Sequence, residues 1–100
     1  MVKHIVMWKL KDTAEGKTKK ENAEIIKQGL EGLKDKIDFL KAVEVGLNFN
    51  SSEMAYDVVL YTEFASAEDL ERYQNHEEHL KVAGYVRKVN AARVVVDYEI

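Results

Sequence analysis

A tyrosine and two of the chain's three histidines fall in one short run, Tyr73-Gln74-Asn75-His76-Glu77-Glu78-His79. An imidazole exchanges protons near neutral pH. A tyrosine hydroxyl can hold a carbonyl or a developing oxyanion. The pair Tyr73 and His79 is therefore a candidate acid–base couple. On an unbroken helix residues six apart do not share a face, so a break near Asn75-His76 is needed to bring them together. His4, near the N-terminus, could join them from a strand.

A metal site is the competing reading, because His76 and His79 stand at i and i+3 with Glu77 and Glu78 between them. Zincin histidines are four apart, so that both ligands point one way, and no third strong ligand is evident here. No metal is expected. The other alternative is structural, with the histidines capping and packing a helix turn. Nucleophilic catalysis has little support: there is no cysteine, and no serine in a Gly-x-Ser-x-Gly elbow. The five glycines form neither a dinucleotide nor a P-loop pattern, so no cofactor is expected.

The elements that must carry these residues are legible from periodicity. Val2 to Lys11 alternates as a strand, with Val2, His4, Val6, Trp8 and Leu10 on one face and Lys3, Ile5, Met7 and Lys9 on the other. A polar start at Asp12-Thr13-Ala14-Glu15 leads into a helix whose Ile26, Leu30, Leu33 and Ile37 make one stripe. Gly29 and Gly32 lie inside it, where they would allow close packing on a sheet. A second strand spans residues 39–48, Asn48 to Ser52 forms a turn, and a third strand spans residues 56–64. Ser66-Ala67-Glu68-Asp69 resembles a capping box and opens an irregular helical region that runs to Val89. Arg93 to Glu99 is the last strand. The order is β-α-β-β-α-β, which predicts an α+β fold: a four-stranded antiparallel sheet with helices on one face.

Both faces of these strands carry large apolar residues. Ile5, Met7, Val59, Tyr61 and Val95 oppose Val6, Trp8, Val58, Leu60 and Val94. Apolar area is worth about 25 cal/mol per Å² when buried, and a second subunit packed sheet to sheet would cover it. A homodimer is expected. One hundred residues make one domain, and 15 basic against 18 acidic residues leave a net charge of −3. The Lys17, Lys19 and Lys20 cluster is flanked by Glu15, Glu21 and Glu24. Without a basic stripe no nucleic-acid partner is expected. Lys3 and Lys9 interrupt the first apolar run, which is no signal peptide, and nothing approaches a membrane span. The cytoplasm is the expected location, where Asn50-Ser51-Ser52 is only a polar turn.

The opening Val2-Lys3-His4-Ile5-Val6-Met7-Trp8-Lys9-Leu10-Lys11, the strand Tyr56-Asp57-Val58-Val59-Leu60, the Tyr73-x-x-His76-x-x-His79 run and the closing Val96-Asp97-Tyr98 together resemble the stress-responsive A/B barrel (Dabb) family. The resemblance covers nearly the whole chain. It implies a ferredoxin-like protomer, a dimeric α+β barrel, and a cavity between sheet and helices. In plant polyketide cyclases of the family, a tyrosine and a histidine matching Tyr73 and His79 do acid–base work on a poly-β-keto thioester. The pocket wall expected here is His4, His76, Trp8 and Val58. Val58 stands where cyclase members carry a further histidine, which makes this pocket less polar. Three functions follow as expectations: cofactor-independent acid–base chemistry on a small carbonyl or polyketide-like ligand held in a small apolar pocket, a non-enzymatic stress-associated binding or structural dimer, or a cofactor-free monooxygenase of the dimeric barrel class.

Overall fold

The computed structural model describes all 100 residues. Its main sheet contains β1 (Val2–Leu10), β4 (Ala42–Leu47), β5 (Val58–Phe64) and β6 (Asn90–Glu99), in the order β4-β5-β1-β6 with every pair antiparallel. Helices α1 (Lys19–Glu31), α2 (Ala67–Asn75) and α3 (Glu77–Val89) supply the second layer. The register places Val6 opposite both Leu60 and Val95, and Trp8 opposite Val58 and Arg93. Residues directly opposite share a face, so the alternation in β1 carries across the sheet.

The helix-facing side is the core. Val2, Val6, Trp8, Leu10, Val45, Val58, Leu60 and Phe64 bury there against Ile26, Leu30, Leu33, Leu70, Tyr73 and Val86. The stripe expected on the first helix is all buried, although α1 ends at Glu31, a 3-10 turn spans Gly32–Asp35, and Ile37 follows it. Gly29 does permit a close approach, but to a helix: a Cβ there would lie 3.2 Å from Val82 Cγ1 on α3.

The polar stretch before α1 is a hairpin rather than a helix start. Strands β2 (Thr13–Ala14) and β3 (Lys17–Thr18) pair around Glu15 (φ 52°) and Gly16 (φ 73°). Two successive positive φ values twist a two-residue loop in the sense that hairpins favour. Helix α1 starts only after Thr18, whose hydroxyl accepts from the Glu21 N–H while the Glu21 carboxylate accepts from the Thr18 N–H, a full capping box. Buried Asn22 fastens the hairpin, donating to the Ala14 carbonyl and accepting from Tyr85 of α3. The middle connection is longer than the expected tight turn. Residues 48–57 leave the sheet, with Asn48 and Asn50 side chains accepting from Asn50 and Ser52 N–H groups.

The two rims of the sheet are treated differently. On β4, Lys27 Nζ donates to the Val45 carbonyl at 2.7 Å and Glu31 Oε2 accepts from the Val45 N–H at 3.1 Å. An ion pair one helical turn apart thus occupies the backbone in the middle of that rim. These bonds hold the Glu31 carboxyl below the usual carboxylate range, Lys27 contributing most and the Val45 N–H next. On the other rim β6 is held by β1 alone and is exposed along most of its length.

The outer face carries Ile5, Met7, Val59, Tyr61, Val94, Val96 and Tyr98; in β6 the faces are the reverse of the expectation, because the register sets Val94 opposite Met7 and Val95 opposite Val6. Met7, Val59, Val94, Val96 and Tyr98 are exposed there. A polar cluster marks one corner: Lys3 Nζ donates to the Tyr61 hydroxyl at 2.7 Å, and Tyr61 donates to Glu63.

Candidate active site

The chain break required by the Tyr73–His79 spacing is present. Helix α2 stops at Asn75, His76 adopts extended backbone (φ −69°, ψ 136°), and α3 begins at Glu77. The His76 ring is the reason α3 can start there. Its Nδ1 accepts from the Glu78 N–H at 3.1 Å, serving as the N-cap, and its ring lies 6.3 Å from that of Phe39.

The break folds the first turn of α3 back over α2. His79 comes to rest against Tyr73 with ring centroids 4.4 Å apart, and Tyr73 in turn lies 5.0 Å from Phe64. Tyr73 is 0 % exposed, and its hydroxyl has no hydrogen-bond partner in the protein. Burial drives its pKa upward, so it stays a neutral donor. His79 Nδ1 lies 3.3 Å from the Gln74 carbonyl oxygen. A carbonyl only accepts, so Nδ1 carries the proton and Nε2 keeps the lone pair.

His4 reaches the same region from β1. The β1–β6 register sets it opposite Asp97, and Nδ1 meets Asp97 Oδ1 at 2.5 Å. The His4 side chain is 3 % exposed, while the Asp97 side chain is 43 % exposed. The carboxylate accepts the Nδ1 proton, which again leaves Nε2 without a protein partner.

Both histidines line one cavity of about 220 Å³ between sheet and helices. Val6, Trp8 and Leu60 form apolar wall on the sheet side, and Arg87 and Arg93 supply the charge. The structure thus brings His4, Trp8 and His79 to one cavity, with Tyr73 packed against His79 and outside the lining. His76 stands away as the cap of α3. Val58 is buried and borders a different hollow, about 360 Å³ and mostly apolar, with Met7, Phe49 and Met54.

Asp97 entered the sequence reading only within the closing Val96-Asp97-Tyr98, and neither it nor Arg87 nor Arg93 was expected at the site. Asp97 had a signal, a carboxylate ending the Val94-Val95-Val96 run, but its partner depends on strand register. No three carboxylate, histidine or cysteine side chains gather as a metal site would require, and no helix is long and apolar enough to cross a membrane.

The environment acts on His79 in a testable way. Burial lowers its pKa from 6.5, the Gln74 bond opposes this, and His4, Arg87 and Arg93 lower it further. Below 6.5 the unfolded chain takes up a proton that the folded chain resists. Folding stability therefore declines as pH falls through 6.5 toward the folded value. His79→Gln should flatten this part of the profile, as read by urea unfolding between about pH 5 and pH 8.

A four-stranded antiparallel sheet backed by helices, with a histidine-bearing cavity between the layers, defines a ferredoxin-like α+β protomer. The chain belongs to the stress responsive A/B barrel domain family, whose model matches residues 2–100. Among solved structures, it is similar to a dimeric protein of unknown function and ferredoxin-like fold from Bacteroides fragilis. The two are 35% identical with a TM-score of 0.89, covering 99% of this chain and 95% of the other. A dimeric ferredoxin-like protein of unknown function from Thermobifida fusca is 21% identical, with a TM-score of 0.84 over 99% of this chain and 90% of its own. A hydroxynitrile lyase from Passiflora edulis shares the fold at 16% identity and a TM-score of 0.79, over 99% and 92% of the two chains. No curated protein shows significant similarity to the chain.

Proposed function

We propose that the protein is a homodimer, joined sheet to sheet, whose cavity moves protons on a small carbonyl compound without a cofactor. One observation carries the chemistry: His4 and His79 come from different elements to one cavity, each with Nδ1 committed to an acceptor. In this reading His79 Nε2 takes a proton from a carbon beside a carbonyl. The C–H electron pair moves into an enolate, and the imidazolium returns the proton at carbon or oxygen. Desolvation favours the neutral ring that begins the cycle. His4, whose ring Asp97 orients through Nδ1, would exchange a proton with the carbonyl oxygen at Nε2. Tyr73, buried and outside the cavity lining, holds the His79 ring through its packing. His76 braces the turn. The apolar outer face supports the dimer, as does the dimeric relative at 35% identity.

The test is hydrogen–deuterium exchange at the carbon between the carbonyls of a β-diketone, with the histidine ring signals followed by NMR. The protein should accelerate exchange, and His4 and His79 should shift while His76 does not. His79→Gln should cost roughly 10²–10⁴-fold in the catalysed rate with circular dichroism unchanged. No acceleration over buffer and no ring shifts would leave the histidines a purely structural role.

A further inference from the structure

The charge around the cavity does not match the charge of the chain. The protein carries a net charge of −3 with 18 acidic residues, yet no aspartate or glutamate lines this cavity. Of the three arginines, Arg72 pairs with Asp69 at 3.0 Å. Arg87 and Arg93 make no ion pair or hydrogen bond with the protein, and both line the cavity. The nearby carboxylate, Asp97, is engaged with His4.

The backbone sets these two side chains around one corner. Helix α3 ends at Val89 and β6 starts at Asn90 with no residue between them, so Arg87 and Arg93 stand three residues either side of Asn90. One side chain arrives from a helix and the other from a strand, and both line the cavity. Paired guanidiniums match the two oxygens of a carboxylate. The wall beyond them is Val6, Trp8 and Leu60, which suits an apolar body. The cavity is smaller than the roughly 300–1,000 Å³ of sites for drug-sized ligands. The end of α3 beside Arg87 is its C-terminus, whose carbonyl dipoles disfavour a second negative charge. A monoanion therefore fits better than phosphate.

We infer that this cavity selects a small organic carboxylate with a short apolar body, held at its anionic end by Arg87 and Arg93. The inference rests on the proton-transfer reading of the same cavity and specifies the class of compound it receives. The carboxylate would fix the ligand so that its apolar portion lies along Trp8 toward His4 and His79.

Hexanoate, its uncharged amide hexanamide and inorganic phosphate serve as probes, with binding read by NMR shifts of the Trp8 and His79 rings. Hexanoate should bind about tenfold or more tightly than hexanamide, and phosphate should bind weakly. In Arg87→Gln/Arg93→Gln, whose replaced groups have no protein partner, the hexanoate advantage should vanish and hexanamide binding should be unchanged. Equal binding of acid and amide, or an undiminished advantage in the double variant, would overturn the inference. Phosphate competing as well as hexanoate would make this a general anion site and overturn it too. If the β-diketone is still turned over while hexanoate has no advantage, anion selection alone fails. If neither hexanoate nor hexanamide shifts the Trp8 or His79 rings and diketone exchange is not accelerated either, both readings fall.

Discussion

Replacing Met7 by lysine is expected to halve the molecular mass in solution while leaving the protomer folded. Met7 lies mid-strand on the outer face, opposite Val59 and Val94. It is 41 % exposed in the single protomer, so a lysine there keeps its ammonium in water. Packed against a second sheet, the same ammonium would be buried without a partner, at a cost of several kcal/mol. Each 1.4 kcal/mol is a factor of ten in affinity, so the dimer should weaken about 100-fold or more. Light scattering at micromolar concentration reads the mass, and circular dichroism reports the fold. A dimeric mass that survives Met7→Lys would remove this face as the interface. The Lys3–Tyr61–Glu63 cluster shows how the protein itself places charge on that face: at a corner, and already satisfied.

The two truncations of Tyr73 are expected to differ in size and even in sign. Tyr73→Ala removes a ring that is 0 % exposed and packed between Phe64 and His79. The cavity left behind should cost about 3–5 kcal/mol of folding stability. Tyr73→Phe removes only the hydroxyl, which is buried without a protein partner. Leaving a polar group in that state costs about 1–3 kcal/mol, so its loss should be neutral or stabilising in urea unfolding. If the hydroxyl serves a ligand oxygen, Tyr73→Phe will also slow diketone exchange. A stable variant with full activity would confine Tyr73 to holding the His79 ring. A variant destabilised by more than about 1 kcal/mol would mean that the hydroxyl is already engaged in the free protein, which counts against its role as a donor.

The parts of this molecule that follow a short period were legible in the sequence. Alternation in Val2 to Leu10 put His4 and Trp8 on one face, and both line the cavity. The six-residue offset of Tyr73 and His79 demanded an interruption near Asn75-His76, and the chain turns there. The Ser66 cap likewise holds, accepting from the Asp69 N–H. What escaped depends on register and three-dimensional approach. A period of two did not settle the faces of the last strand: Val95 was expected outside and Val94 inside, whereas the β1–β6 pairing puts Val95 opposite Val6 and, across 93 positions, Asp97 opposite His4. The hairpin at residues 13–18 was hidden because Glu15 takes a positive φ that its residue type does not advertise. Gly29 was placed against a sheet because sequence spacing cannot show that Val82 of α3 crosses there.

The unequal rims of the sheet have a consequence for growth. A filament built strand to strand needs two complementary rims on each molecule, so that the leading rim of one accepts the trailing rim of the next. Here Lys27 and Glu31 occupy the backbone at the centre of β4, and only β6 remains free to pair. Copies that meet through β6 can meet only like to like, and a like-to-like contact uses up the free rim of both partners. For a lone protomer, pairing through the long, valine-rich β6 therefore stops at two molecules.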